Sequence, residues 1–391
     1  MENKPFHKNA WAEIDIGAAA YNYDQIRKRL NKGTRLCCVL KGDGYGHGAA
    51  QMAKLYEKAG ADYLAVSDID DALRIRRAGV RLPVLILGYT DPRYAELLAE
   101  NDLSQSVFSY EYGRRLSECA EKAGISVAVH FKTDTGLGRI GFQCDQDSLD
   151  GIAELCSSPH LITEGIFTHF AAADEGESGR EYTRCQFGRF LSSIEYLRKK
   201  GMEFPLKHCA NSACIMDYPE MQLDMVRAGI ALYGLLPSAS IRHPLDLRPV
   251  RSLKTSVFYV RDVLAGQRIG YGREFKADRD MRIAAIPIGY ANGLSESRFK
   301  NRIRIEVEGR ASSIVGRACM ELCMIDITDI PSAGVNSIVT ISDNQGSYHS
   351  DRDDGSGNTV SYEISSSFGE SNPRVYVRNG CIEEVSDGYP D

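Results

Sequence analysis

A lysine followed by alternating glycines, Lys41-Gly-Asp-Gly-Tyr-Gly-His-Gly48, is the first place where residue types and spacing could do chemistry. A lysine amine facing a pocket loses hydration, its pKa falls, and it can form an imine with a carbonyl, which a surface lysine does poorly. The four glycines would let backbone approach a ligand. Taken alone, Lys41 reads as a rim lysine paired with Asp43. A second run, Lys132-Thr-Asp-Thr-Gly-Leu-Gly-Arg139, carries two more cations, and His169, Asn211, Ser212, Arg227, Gly229 and Ile230 lie at or just past later apolar runs. Tyr45, Ser212, Gly229 and Ile230 could together offer hydroxyls and backbone N–H groups to a phosphate. Singly, each is an ordinary turn residue.

The elements that must position these groups follow a regular beat. Apolar runs at residues 34–40, 63–67, 84–88, 105–108, 126–131, 162–170, 205–209 and 225–233 predict strands. Amphipathic stretches at 48–59, 68–78, 111–123 and 180–200 predict helices between them, several closing on glycine. Eight such repeats predict a (β/α)8 TIM-type barrel over residues 1–240, whose reactive groups belong at the C-terminal ends of the strands. Residues 236–249 are rich in Pro and Ser, and after them short β-like runs at 256–263, 282–288, 302–307 and 337–341 predict a mainly β domain over 241–391. The first residues of the chain are expected to contact that domain. Arg273, Glu274 and 278–282 read as solvated charged turns. Residues 343–358, dense in Gly, Ser and Asp, predict a mobile loop.

A net charge of -6 offers no counter-field for a polyanion, so nucleic acid is not an expected partner. No stretch approaches the roughly 20 apolar residues that span a bilayer, and the expected location is cytoplasmic. Eleven cysteines, an odd number without pairing rhythm, argue against a disulfide framework. Cys319 and Cys323 would need further zinc ligands that none of the eight histidines supplies at suitable spacing, so no metal is expected.

The ordered series formed by Val39-Leu-Lys-Gly-Asp-Gly-Tyr-Gly-His-Gly48, residues 132–142, Thr168-His-Phe-Ala171, His208-Cys-Ala-Asn-Ser212, residues 226–234, Gly270-Tyr-Gly-Arg273, Ile288-Gly-Tyr-Ala-Asn-Gly293, Val315-Gly-Arg-Ala-Cys-Met320 and Arg374-Val-Tyr376 resembles the bacterial alanine racemases. These are pyridoxal-phosphate enzymes of the barrel-plus-β-domain type, and the resemblance covers nearly the whole chain. It implies that L- and D-alanine are interconverted by two bases through an external aldimine, usually to supply D-alanine for peptidoglycan precursors. Lys41 then carries the internal aldimine, while Tyr45, Ser212, Gly229, Ile230 and Tyr362 hold the phosphate, with Asn211 and His169 also at the cofactor. Arg227 meets the pyridine nitrogen. Arginine cannot readily give up a proton, so the ring becomes a weaker electron sink and little transamination is expected.

The resemblance also implies a homodimer with shared active sites, in which Tyr271 arrives from the β domain of the partner subunit as the second base. A phenol with pKa near 10 needs neighbouring charge for that work, and His169 is expected to bond Tyr271 and contact Arg227. Arg139 is expected to grip the substrate carboxylate and the cofactor's ring oxygen, with Met320 and Tyr290 near the substrate and Arg317 and Asp174 along the entrance. In the family, a carbamylated lysine matching Lys132 often orients this arginine.

The sequence departs from the family pattern in places. Glu321 stands where Asp is usual, Ala228 replaces a common proline, and the helix usually found before Tyr362 is replaced by loop composition. Alternatives within pyridoxal-phosphate chemistry are a serine or broad-specificity racemase, since an apolar pocket rejects one hydroxyl poorly, and a decarboxylase. Outside catalysis, the alternative is a cofactor-binding barrel protein, which would resemble the first domain alone.

Overall fold

The computed structural model describes residues 9–292, 294, 303–343 and 372–386. The chain divides into two compact units, residues 19–248 and residues 1–18 with 249–391.

The first unit is built on a parallel eight-stranded sheet. In space its strands run Leu206–His208, Leu161–Phe167, Val127–Lys132, Leu103–Val107, Val84–Ile86, Tyr63–Val66, Arg35–Val39 and Met225–Ala228. The sheet's two outer strands come together, because Asp224 N donates to Lys207 O at 3.2 Å and Arg227 N to Ala210 O at 2.9 Å. The result is a nearly closed barrel, in accord with the eight predicted repeats. Strands buried on both faces are apolar along their length, as Tyr63–Val66 is. Crossover helices start where the sequence supplies a cap: Asp68 accepts from Asp71 N, Ser109 from Tyr112 N and Asp145 from Ser148 N. The helices Ala49–Ala59 and Tyr110–Ala123 end on left-handed glycines, Gly60 and Gly124.

The last barrel strand is shorter than the apolar run 225–233 predicts. It stops at Ala228, and Ile230–Tyr233 forms a 3-10 turn. Gly229 breaks the extended backbone between them.

The second unit is mainly β. Its larger sheet orders Arg310–Ser312, Ile303–Val307, Ile338–Asp343, Arg251–Ser256, Ala10–Asp15, Arg374–Arg378 and Cys381–Ser386. A second sheet holds Tyr259–Val263, Met281–Ile286, Cys323–Asp326 and Ile314–Val315. The single strand predicted at 256–263 is thus two segments divided between these sheets. Leu253, Ile286, Ile305, Ile325 and Val339 lie in the core this unit buries. Residues 344–358 of the predicted loop, and Tyr362, fall outside the described residues.

Candidate active site

The predicted groups of the barrel unit gather at the C-terminal ends of its strands. Lys41 follows Arg35–Val39 after one residue, and its backbone enters a left-handed turn. Gly42, Asp43, Gly44, Tyr45 and Gly46 have φ between 51° and 79°. Such a path strains residues that carry a side chain, so glycine relieves it at alternate positions. Gly42 takes a φ of 61° that L side chains rarely adopt, which is reason enough for glycine there. The turn is tied by Gly44 N to Leu40 O at 2.7 Å and by Ala49 N to the Asp43 carboxylate at 2.8 Å. Asp43 therefore braces the turn.

The turn carries the Lys41 ammonium to 5.6 Å from the centre of the Tyr45 ring. Solvent reaches Lys41 at the mouth. Even so, the protein packed around its ammonium, and after that the Arg139 guanidinium, hold its pKa below the usual lysine value. Lys132, at the end of Val127–Lys132, is buried and sits 5.8 Å from the Phe167 ring centre. Burial first, then Arg139 and Arg227, push its pKa down to about 8. His169, half-buried, is held well below its ordinary value by burial and then by Arg227, Arg139, Lys41 and Lys132. Four cations thus converge on one imidazole, and such a cluster is organised for an anion.

Arg139 is exposed, and its loop is held by a residue that sequence reasoning passed over. The Asp134 carboxylate accepts from the amides of Gly136 at 2.9 Å, Gly138 at 3.1 Å and Arg139 at 3.0 Å. The signal was available, because an aspartate two residues before glycine favours such a side-chain-to-backbone turn.

Ser212 Oγ accepts from Gly229 N at 3.1 Å, and a Cβ on Gly229 would stand 2.8 Å from the Tyr45 hydroxyl. Space beside that hydroxyl is therefore kept by the absence of a side chain. Ile230 opens the 3-10 turn alongside. Two hydroxyls beside glycine backbone suit a phosphate, and a nearby lysine of lowered pKa suits an aldehyde, so these residues fit pyridoxal phosphate. Asn211 caps Ser212–Asp217 by accepting from Cys214 N at 3.0 Å. Arg227 is buried and donates to Thr168 O at 2.8 Å, His208 O at 3.1 Å, His208 Nδ1 at 2.8 Å and His169 Nδ1 at 3.3 Å.

In the β unit, Tyr271 opens a short 3-10 turn between Gly270 and Gly272, whose φ values are 76° and 70°. Its side chain is 70% exposed, with Tyr290 at 56% and Met320 at 59%. One loop touches both neighbourhoods: a Cβ on Gly270 would meet Arg317 N at 3.3 Å, and one on Gly289 would meet Cys319 O at 2.1 Å. Tyr290 N donates to Cys319 O at 3.1 Å, and Arg317 pairs with Glu274. Glu274 is exposed, as expected of a solvated charged turn, and its pair with Arg317 is a surface one.

Residues 14–237 match the family model of the alanine racemase N-terminal domain, and residues 250–376 that of the C-terminal domain. The alanine racemase of Clostridium tetani is 39% identical over 375 residues, 95% of this chain and 96% of that one. The structure of the alanine racemase of Clostridium difficile 630 matches with a TM-score of 0.90 at 35% identity, covering 98% of this chain and 99% of that chain. The histidine racemase of Leuconostoc mesenteroides subsp. sake matches with a TM-score of 0.83 at 29% identity, covering 96% and 99%. The chain belongs to the alanine racemase family.

Proposed function

We propose that this protein interconverts L- and D-alanine with pyridoxal phosphate, using Lys41 and Tyr271 as bases on opposite faces of the substrate's α-carbon. The observation that carries the reading is the gathering of Lys41, Lys132, Arg139 and Arg227 around His169, beside the hydroxyls of Tyr45 and Ser212. When bound, the cofactor's conjugated ring withdraws electrons from the substrate's α-carbon and makes its hydrogen acidic.

The chain supplies the rest. Lys41 would hold the cofactor's aldehyde carbon, and Tyr45, Ser212, Gly229 and Ile230 its phosphate, with Tyr362 as a further phosphate ligand. Arg227, always charged, donates toward the ring nitrogen and gives it no proton to keep. Arg139 orients the substrate carboxylate, and carbamylated Lys132 in turn orients Arg139. One base removes the α-proton and the other returns a proton to the opposite face.

Tyr271 belongs to the β unit, where it, Tyr290 and Met320 leave large apolar side chains in solvent. Clustered exposure of that kind favours coverage by a partner. The reading supplies it with a second copy, so that each Tyr271 serves the Lys41 of the other protomer. All eleven cysteines are free and five are buried, which suits a reducing cytoplasm. No helix among the described residues is long and apolar enough to cross a membrane.

The test is racemisation of L-Ala, L-Ser, L-Lys and L-His by the pyridoxal-phosphate-loaded protein, followed by chiral separation. Alanine should turn over fastest. Histidine belongs in the panel because the fold also carries a histidine racemase. Preference for another amino acid would reassign the substrate, and no exchange of any α-hydrogen would remove the enzyme reading.

A further inference from the structure

Arg227 is a buried guanidinium that, among the described residues, has no carboxylate beside it. Among the described residues its acceptors are the carbonyls of Thr168, His208 and Cys209 and the Nδ1 atoms of His208 and His169. A charge at that depth is costly unless something compensates it. The compensation lies further down the barrel. His208 Nε2 stands 2.9 Å from His130 Nδ1, and His130 Nε2 stands 3.5 Å from Glu164 Oε2. Glu164 also accepts from Tyr63 Oη at 3.1 Å and from Ser104 Oγ, and Tyr63 Oη lies 3.4 Å from His130 Nε2. Both imidazoles are fully buried, whereas Glu164 keeps 36% of its side chain exposed.

Donor chemistry gives this chain a direction. A guanidinium has no lone pair to offer, so His208 Nδ1 must accept from it. In the neutral ring the His208 proton then sits on Nε2 and points at His130 Nδ1, which must accept. The His130 proton falls on Nε2, facing Glu164 and Tyr63. The opposite order would set an N–H of His208 against an N–H of Arg227 across 2.8 Å. Neutral rings are favoured here: burial lowers the His208 pKa, helped by Arg227, and lowers that of His130 against the opposing pull of Glu164. The relay therefore runs from a cation through two neutral imidazoles to a carboxylate.

We infer that Glu164 and His130 are positioning residues for Arg227, holding the His208 ring against the guanidinium and supplying the counter-charge from the far end of the relay. Neither hydrogen-bonds Arg227 itself; both reach it through His208. The catalytic consequence rests on Arg227 being the ring-nitrogen partner, as proposed above, but the relay does not.

The test uses cofactor-loaded protein with 15N-labelled histidine rings, of which there are only eight. In the wild type, His130 and His208 should both show protonated Nε2 and unprotonated Nδ1. Glu164→Gln and His130→Phe should each move the His208 ring 15N resonances away from their wild-type positions, and transamination per racemisation turnover should rise about threefold or more. In the isosteric Glu164→Gln, a packing role alone would leave the His208 resonances in place. The inference is overturned by a wild-type His208 protonated at Nδ1, or by His208 resonances that stay at wild-type positions in Glu164→Gln. Glu164→Gln carries the test if His130→Phe does not fold. Moved His208 resonances in a protein that racemises no amino acid would support the relay while removing the functional reading, whereas unmoved resonances in an active racemase would do the reverse.

Discussion

Gly229 faces the phenol of Tyr45 so closely that a Cβ at this position would stand 2.8 Å from the hydroxyl oxygen. Because Ser212 also bonds Gly229 N, an added methyl displaces one wall of the proposed phosphate cradle. Gly229→Ala should weaken pyridoxal-phosphate binding about tenfold, or about 1.4 kcal/mol. Fluorescence titration of the apoprotein measures this, and unchanged affinity would place the phosphate elsewhere.

The two bases should fail on different enantiomers. Tyr271→Phe should slow α-proton removal from L-alanine, and Lys41→Ala that from D-alanine, each by about 10²–10⁴-fold. Exchange into D2O followed by mass spectrometry distinguishes the two directions. Equal losses for both enantiomers in both variants would argue for one base rather than two.

Lys132 gives a pH dependence with a defined sign. Its ammonium loses its proton at about pH 8, so the neutral amine that can accept CO2 grows above that value and falls about tenfold per unit below it. Intact-mass measurement in bicarbonate should show one added CO2 at alkaline pH that fades on acidification, and Lys132→Ala should lack it. An adduct insensitive to pH, or retained in Lys132→Ala, would exclude this lysine.

Asp134 should matter although it contacts no reacting group. Burial pulls its pKa up, but the amides of Gly136, Gly138, Arg139 and Leu137 prevail and hold it below the ordinary value. A depressed carboxylate contributes stability above its unfolded pKa and loses it as pH falls through the folded one, so this loop should loosen in acid. Asp134→Ala should cost about 1 kcal/mol and raise KM for alanine more than it lowers kcat, through misplacement of Arg139. Thermal melts with steady-state kinetics check both; an unchanged KM would separate the loop from substrate binding.

Replacing Arg227 by an acid should change the product rather than only the rate. With Arg227→Glu the ring nitrogen can keep a proton, and half-transamination should rise at least about tenfold. Chromatography of released cofactor measures its aminated form, and a wild-type ratio would detach Arg227 from the ring.

How far these features could be read from sequence depended on how locally each was encoded. Parallel strands buried on both faces announce themselves as apolar runs, and Lys41, Lys132, His169, Ser212 and Arg227 were found by looking just beyond or within them. Ala10–Asp15 was missed, since its sheet partners Arg251–Ser256 and Arg374–Arg378 lie far along the chain. The relay was equally hidden. Ser104, His130 and Glu164 are polar residues inside strands, and alternation alone cannot tell a polar barrel interior from a solvent face. His208 appeared in a quoted motif, but only coordinates reveal that its ring joins His130 to Arg227. Gly42 was visible, but its positive φ was not legible without the turn.

The strand Ala10–Asp15 lies between Arg251–Ser256 and Arg374–Arg378 and runs parallel to the latter. During translation it is made before the barrel, yet both of its neighbours are made after it. The barrel's strands are all available once residue 228 has emerged, while Ala10–Asp15 must wait, unpaired on one side, until residue 378 has followed. A stalled or truncated polypeptide would therefore carry a ready barrel beside an open β edge, the species that chaperones have most reason to hold.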